Sequence, residues 1–171
     1  KEILSAIVMI GGLVGKSTEA TALAERYRRE LDAVADRARS LPKRPRVFFE
    51  EWHEPLISGI RWCSEPVEIC GGDDVCKETR IRQDAQGRIF TPEAVAARDP
   101  EVVIASWCGR KASRQKIRAR PGWESVSAVV HDQLYEVKST YILQPGPAAL
   151  SEGVRQLERI IRAAAHGERL P

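Results

Sequence analysis

The segment GGLVGKS, residues 11–17, contains the residue types of a phosphate-binding loop but not their spacing. That loop needs four residues between its first glycine and the Gly-Lys-Ser/Thr end, because several backbone N–H groups must point at one phosphate. With Gly15-Lys16-Ser17 as the end, the first glycine should stand at position 10, which is Ile10. The spacing therefore argues against a P-loop nucleotide enzyme, which stays the alternative from a different functional class.

Ring and polar side chains follow two predicted strands, RVFFEE and EVVIAS. Glu51 ends the first strand and Trp52 follows it, whereas Trp107 and Gly109 follow the second. Ligands of open α/β sheets bind at the carboxyl ends of the strands. Aromatic side chains suit the walls of a pocket for a flat ligand. We therefore predict a small-molecule site formed by these four residues, and we expect the nearby His53 to be solvated rather than a metal ligand.

Two further tryptophans lie outside these two strand ends. Trp62 lies on the predicted helix after the first strand, where it can either face the same site or pack inward. Trp123 follows a Pro-Gly turn, a position more typical of a residue that fills the core.

The sequence contains no constellation typical of catalysis or of metal binding. It has three histidines and no Ser–His–acid arrangement in a suitable context, so we predict a binding protein without enzymatic activity and without a catalytic cofactor. Its four cysteines form no C-x-x-C pair and have no ligand spacing with a histidine. Buried thiols or disulfides are the better interpretation, and Cys63, Cys70 and Cys108 have apolar neighbours.

The composition, 43% hydrophobic and 30% charged over 171 residues, is that of a globular domain. No stretch of about 18 apolar residues predicts a transmembrane helix, and no signal-peptide pattern is present. The net charge of +3 is too small to argue for nucleic acid. The basic run from Arg110 to Arg120 is interpreted as a solvated helix over 110–118, so no nucleic-acid partner is predicted.

The elements that must position these residues follow from hydrophobic periodicity. Apolar residues recur at steps of three and four over 20–41, which predicts one long helix lying across a surface. Apolar residues also recur at helical steps upstream, at Ile3, Ile7, Ile10 and Val14. This favours a helix, a glycine-rich turn and then the long helix. After the break at Pro42 and Pro45, strands and helices alternate, with helices predicted over 57–69, 93–98 and up to about Ala165. Such alternation predicts an α/β fold with a mostly parallel sheet between helical layers.

The whole pattern resembles the C-terminal half of the periplasmic solute-binding proteins of ABC importers for cobalamin, haem and iron–siderophores. The resemblance rests on LVGKSTEATALAERY, FFEEWHEPLISGIRW, EICGGDDV, TPEAVAARDPEVVIASWCG, RPGW and QPGPA, in that order. It implies an α/β fold with a long bridging helix and one three-layer α/β/α lobe. Residues 1–41 are expected to form the end of the first lobe and the interlobe helix, and residues 46–165 the C-terminal ligand-binding lobe.

The resemblance also implies a function, which we take as an expectation. The motifs are most similar to cobalamin-binding members, so we expect a corrinoid ligand, with haem or an iron–siderophore as the alternative. The partner would be an ABC importer permease and ATPase complex, and the location the periplasmic or extracytoplasmic face of the membrane. In that family a glutamate in the context of Glu93 pairs with a permease arginine, so Glu93 is predicted to dock. Because half of the cleft is absent, the isolated chain is expected to dimerise through the bridging-helix stripe and the cleft wall.

Overall fold

The structure is a computed structural model that describes residues 2–171, and it begins with two helices packed against each other. Helix α1 (Glu2–Leu13) and helix α2 (Ser17–Ala38) are joined by a three-residue turn in which Gly15 has a φ of +71°. Gly11 lies inside α1 and contacts α2, since a Cβ added to it would come within 2.1 Å of the Ala20 Cβ. The predicted helix–turn–helix is confirmed, and the P-loop alternative is wrong because residues 11–17 form the end of α1, a helix–helix turn and the start of α2 rather than a loop after a strand.

The rest of the chain alternates between strands and helices, as predicted. The strands are β1 (Arg46–His53), β2 (Leu56–Ser58), β3 (Asp73–Asp74), β4 (Ile89–Phe90), β5 (Val102–Ala105) and β6 (Leu134–Glu136). The helices are α3 (Arg61–Ile69), α4 (Pro92–Ala96), α5 (Arg114–Arg118), α6 (Ser127–Val130), α7 (Ser139–Ile142) and α8 (Val154–Ala165). Two 3₁₀ turns (Lys77–Ile81 and Gln86–Arg88) precede β4, and a π-helical turn (Ala149–Gly153) leads into α8.

All six strands form one sheet in the order β4-β2-β1-β5-β6, with β3 beside the start of β1. The pairs β1–β3, β1–β5 and β5–β6 are parallel, whereas β2 pairs antiparallel with β1 and β4. The prediction of a mostly parallel sheet is therefore confirmed. As a consequence, the carboxyl ends of β1, β5 and β6 lie side by side at one edge.

Helices cover both faces of this sheet, and β1 shows how its alternating side chains divide between them. Val47 and Phe49 belong to a buried cluster that includes residues of α2, α3 and α8. Phe48 points to the opposite face and belongs to a second cluster with residues of α4, α5 and α6. Trp123 is completely buried in that second cluster, edge-on to Phe48, which confirms that it fills the core.

Two predicted helix boundaries are wrong. The segment 57–69 is not one helix, since residues 56–58 form β2 and pair with two other strands before α3 begins at Arg61. The helix predicted over 110–118 begins only at Arg114, because the Ser113 hydroxyl caps it by accepting a bond from the Lys116 N–H at 3.3 Å. Residues 109–113 are therefore a loop after β5.

The four cysteines are free thiols in the structure. Cys63, Cys70 and Cys76 are buried, and burial raises the pKa of each thiol. The apolar surroundings predicted for Cys108 are wrong, because it is exposed on the loop after β5.

The apolar surface left open lies on α1 rather than on the long helix. In α2 the stripe residues Ala20, Ala24 and Val34 are buried against neighbouring elements, so the expectation that this stripe is exposed is wrong. Large apolar side chains are exposed instead along α1 and the turn after it: Val8 40%, Met9 63%, Ile10 56%, Leu13 81% and Val14 65%.

Candidate functional site

Three aromatic rings meet at the sheet edge where β1 and β5 end. The His53 and Trp107 rings are stacked, with centroids 4.2 Å apart and an interplanar angle of 23°. The Trp52 ring lies 5.2 Å from His53 at a tilt of 56°, and the Arg110 guanidinium lies 5.5 Å from the Trp52 centroid. The structure thus brings together Trp52 and Trp107, and it places His53 between them. Trp52 and His53 are partly exposed, whereas Trp107 is only 3% exposed and backs His53, so the apolar surface offered to a flat ligand comes from the first two rings.

A buried carboxylate fixes one of these rings. Glu50 is completely buried, and its Oε1 accepts a hydrogen bond of 2.8 Å from the Trp107 indole N–H. The Arg120 guanidinium binds the same carboxylate through both oxygens, at 2.6 and 2.8 Å. A buried charge is tolerated only when it is paired and hydrogen-bonded, and here the pair holds the indole in one orientation.

The neighbouring carboxylate, Glu51, has protein partners of its own. One of its oxygens accepts the backbone N–H of Ile60, at the start of α3, at 3.0 Å. Arg88, only 2% exposed, donates to both oxygens at 2.6 and 3.3 Å and also binds the Ser58 carbonyl. Glu51 therefore ties α3 and the 3₁₀ turn before β4 to the carboxyl end of β1. Its role toward a ligand stays a prediction.

Gly109 occupies the loop after β5 in a conformation that favours glycine. Its φ is +68°, and a Cβ added there would meet nothing within 4 Å, so conformation rather than space is what restricts this position. Its N–H points toward the Ser139 hydroxyl at 3.4 Å, which links the loop to the start of α7 beyond β6.

Two buried polar atoms at this edge have no hydrogen-bond partner among residues 2–171, namely His53 Nδ1 and Ser106 Oγ. Burial, followed by the positive charge of Lys116, lowers the pKa of His53. The imidazole is accordingly neutral at pH 7, and the expectation that it is simply solvated is wrong for the Nδ1 side of the ring. No group of three or more metal-ligating side chains occurs within the same residues.

Trp62 makes its contacts away from these three rings. Its indole N–H donates to the Leu143 carbonyl at 3.2 Å. It also lines an apolar cavity of about 280 Å³ between α1, α2 and α3, together with Ile3, Leu31 and Leu150. The structure therefore does not bring Trp62 into contact with Trp52 or Trp107, and its part in a ligand site stays a prediction.

Glu93 is exposed in the first turn of α4, a helix that begins as predicted. The Thr91 hydroxyl accepts the Ala94 N–H at 3.2 Å, and the Trp123 indole donates to the Pro92 carbonyl at 2.9 Å. The helix start that carries the Glu93 carboxylate is therefore held by the Thr91 hydroxyl and by the Trp123 indole. Its docking role remains a prediction.

The sequence interpretation missed the groups that support the rings. The prediction that Arg120 belongs to a solvated basic run is wrong, because its side chain is only 10% exposed and pairs with Glu50. One signal for a buried ion pair is present in the sequence, namely the acidic Glu50 directly after the apolar run VFF. A carboxylate at the end of a buried strand requires a partner. The position of that partner, 70 residues away, has no signature in the sequence.

A family model described as "Periplasmic binding protein" matches residues 1–141. The chain belongs to the periplasmic binding protein family. This family is a class of substrate-binding proteins rather than of enzymes. The resemblance seen in the sequence is therefore confirmed at the level of the family.

Two relatives of this chain have names that differ in whether they state a ligand. The uncharacterized ABC transporter substrate-binding lipoprotein YvrC of Bacillus subtilis (strain 168) is 26% identical over 163 residues, which are 94% of this chain and 50% of YvrC. The vitamin B12-binding protein of Yersinia pestis (strain Pestoides F) is 35% identical over 86 residues, 48% of this chain and 29% of that protein. The chain thus spans half or less of these relatives' length.

Solved structures share the fold at low sequence identity. A possible iron-binding periplasmic solute-binding protein of Staphylococcus epidermidis ATCC 12228 has a TM-score of 0.78 at 19% identity, covering 94% of this chain and 61% of its own. The periplasmic heme-binding protein RhuT of Roseiflexus sp. RS-1 has a TM-score of 0.72 at 18% identity, covering 92% and 62%. These neighbours confirm the α/β lobe of a two-lobe binding protein, and the ligands in their names differ, iron in one and heme in the other.

The names of the relatives describe periplasmic proteins or a lipoprotein, which supports an extracytoplasmic location. None of the helices in residues 2–171 has the length and apolar character that crossing a membrane requires.

Proposed function

We propose that this chain is the C-terminal part of the substrate-binding component of an ABC importer and that it captures a corrinoid, with cobalamin as the first candidate. In this proposal residues 46–165 form one ligand-binding lobe, and residues 1–41 form the end of the other lobe and the interlobe helix. The complex of permease and ATPase receives the ligand at the extracytoplasmic face of the membrane. Haem or an iron–siderophore is the alternative ligand.

The observation that carries the proposal is the group of rings formed by Trp52, His53 and Trp107 at the carboxyl edge of the sheet. A corrin is a broad, flat macrocycle, and stacked indole and imidazole rings match its face. Trp52 and His53 form the exposed wall, Trp107 supports it by stacking on His53, and Gly109 lets the loop backbone approach the ligand. Glu51 contributes by holding the elements around the wall, and Trp62 is the candidate for a second contact surface. The B12-binding relative supports the choice of a corrinoid, whereas the heme-binding neighbour supports the alternative.

Trp52→Ala tests this wall directly. We expect cyanocobalamin affinity to fall by about tenfold to a hundredfold, since burying an aromatic side chain contributes about 1.5–3 kcal/mol. Isothermal titration calorimetry on the chain and on the variant measures the change. Trp62→Ala tests the second contact surface separately, and Tyr27→Ala, which removes an aromatic side chain packed in a separate cluster of α1 and α2, is the control. Equal affinity of Trp52→Ala and the unmodified chain contradicts the ring wall.

A docking role for Glu93 forms a separate part of the proposal. An exposed carboxylate on a fixed helix start can accept a charge-assisted pair from a permease arginine. In the complete binding protein, Glu93→Arg should slow uptake several-fold and leave ligand affinity unchanged, because it sets like charges against each other. Transport in reconstituted vesicles and calorimetry measure the two effects. Glu25→Arg, which reverses an exposed charge on α2, is the matched control and should leave uptake unchanged. Loss of ligand binding in Glu93→Arg would contradict the docking role.

We also propose that the isolated chain dimerises through the apolar face of α1. Met9, Ile10 and Leu13 are each more than half exposed on one short helix, and covering them with a second copy removes this surface from water. Light scattering at increasing concentration should show a dimer that Met9→Lys/Leu13→Lys dissociates. Arg28→Gln/Arg29→Gln, on the polar face of α2, should leave the dimer unchanged. A monomer at all concentrations contradicts the proposal.

A further inference from the structure

A line of cations runs along the exposed side of α8, the helix that covers the face of the sheet opposite to α4. Its members recur at steps of four, three and four residues, so they lie on one side of the helix. They are Arg155, Arg159, Arg162 and, directly after the helix, His166, and all four are exposed. The line borders a groove of about 610 Å³, and Arg37 at the end of α2 lines the same groove. Cations from two helices thus face one groove.

The stability of α8 does not account for this line. The negative end of the helix dipole favours cations in the last turn, which holds Arg162. Arg155 lies in the first turn, where the dipole disfavours a cation, and Arg159 lies in the middle of the helix. Leu157 and Ile161 bury the opposite side of α8 in the core, so the line points away from it. The position of the line therefore favours contact with another molecule.

Two carboxylates beside the groove already pair with part of this charge. Glu158 accepts both of its bonds from the Arg37 guanidinium, at 2.6 and 3.0 Å. Glu152 pairs with Arg155 at 2.6 Å, and this arginine side chain is 73% exposed. An ion pair so open to water contributes little, so Arg155 can exchange its partner at low cost.

The middle of the groove keeps its positive charge. Arg159 and Arg162 form no ion pair within residues 2–171. A third carboxylate, Glu168, lines the groove at the carboxyl end of α8, where its N–H donates to the Ala163 carbonyl at 2.9 Å. The acids thus stand at the two ends of the line and beside Arg37, and two unpaired arginines lie between them.

The dimensions of the line distinguish between anionic partners. It is about 16 Å long, because a helix rises about 1.5 Å per residue, and a single phosphate or carboxylate covers only one part of it. A lipid bilayer is flat over this length and does not enter a groove. An extended peptide places every second side chain on one side, about 6–7 Å apart. That distance is close to the spacing of about 5–6 Å between neighbouring cations of the line.

We infer that this groove binds an extended segment of a partner protein that carries acidic side chains at alternate positions. Its carboxylates form charge-assisted bonds with Arg159 and Arg162 and replace Glu152 as the partner of Arg155. Because α8 and α4 cover opposite faces of the sheet, a chain docked through Glu93 leaves the groove accessible. The inference goes beyond the proposed function and does not depend on which ligand the chain carries.

The test titrates the ¹⁵N-labelled chain at low salt with two seven-residue peptides, each made of three glutamates and four threonines. In one peptide the two residue types alternate, and in the other the three glutamates are consecutive. The backbone and arginine Nε–H signals of residues 154–166 report binding. We expect the alternating peptide to bind about threefold more tightly, because three rather than two of its carboxylates face the groove in an extended conformation. Binding of both peptides should disappear in 1 M salt, because exposed pairs are screened.

Two double variants show whether the groove is the site. Arg159→Gln/Arg162→Gln should weaken binding of the alternating peptide by at least about fivefold, since it removes two exposed ion pairs. The matched control Arg28→Gln/Arg29→Gln removes the same charge from exposed positions of α2 that do not line the groove, and it should leave the affinity unchanged. Glutamine is a helix former similar to arginine, so both variants keep their helices.

Three outcomes overturn the inference. Equal affinity for the two peptides, or an equal loss in both double variants, would show that net charge alone explains binding. Binding to phosphatidylglycerol vesicles that Arg159→Gln/Arg162→Gln abolishes, without binding of either peptide, would assign the line to a lipid surface. Signal shifts with inorganic phosphate but with neither peptide would reduce the groove to a small-anion site. None of these results bears on the ring wall, which is tested by cyanocobalamin binding.

Discussion

Replacing Arg120 by methionine should lower the free energy of unfolding by about 3–5 kcal/mol, because it leaves a buried carboxylate without its counter-ion. Glu50 is completely buried, and two of its three hydrogen bonds come from the Arg120 guanidinium. Methionine preserves most of the volume of the side chain but supplies no donor. Among residues 2–171, the Trp107 indole would then be the one group left that donates to this carboxylate.

Urea unfolding followed by circular dichroism measures this effect, and two variants show its origin. Arg118→Met removes a neighbouring arginine whose side chain is 46% exposed and whose partner is Asp132, so we expect a loss below about 1 kcal/mol. Glu50→Leu/Arg120→Met removes both charges and should recover much of the stability, since no buried charge remains unpaired. A loss below 1 kcal/mol in Arg120→Met contradicts the structural role of the pair.

Gly11→Ala should destabilise the contact between α1 and α2 by about 1–3 kcal/mol, although alanine is the better helix former. A Cβ at this position would come within 2.1 Å of the Ala20 Cβ and within 3.1 Å of the Lys16 carbonyl oxygen. Both neighbours are rigid, because one is a Cβ and the other is backbone. The two helices would have to move apart to accept the methyl group.

The adjacent glycine provides the matched control for this substitution. A Cβ on Gly12 would meet nothing closer than the Ser17 hydroxyl at 3.9 Å, so Gly12→Ala should raise stability by about 0.5–1 kcal/mol. Thermal unfolding of both variants under the same conditions measures the difference. A change in stability of the same sign in Gly11→Ala and Gly12→Ala would show that the two helices do not meet at Gly11.

Strong local patterns made the main elements predictable. The long apolar stripe of α2, the Thr91-Pro92 start of α4 and the run VVIA in β5 each combine several signals that agree. Together they predicted the alternation and the sheet. The carboxyl edge followed from the parallel strands, which is why Trp52 and Trp107 could be expected to lie close together.

Features that depend on distant partners were not predictable in the same way. The strand β2 has only three residues, too few for a period, and it exists because it pairs with β1 and β4. The pair of Glu50 and Arg120 joins residues 70 positions apart, and the stacking of His53 on Trp107 joins two strand ends. Such contacts are set by the topology of the sheet, and composition or spacing along the chain does not reveal them.

The most direct test of the ring wall is a titration of the ¹⁵N-labelled chain with cyanocobalamin, followed through the indole N–H signals of its four tryptophans. This measurement detects weak binding and assigns it to individual rings; haem and a ferric siderophore are titrated in parallel. We expect the Trp52 and Trp107 signals to shift in a saturable manner with at least one of these ligands, while the signal of the buried Trp123 remains in place. Saturable shifts confined to Trp62, or no shifts with any of the three ligands, would contradict a binding site at the carboxyl edge of the sheet.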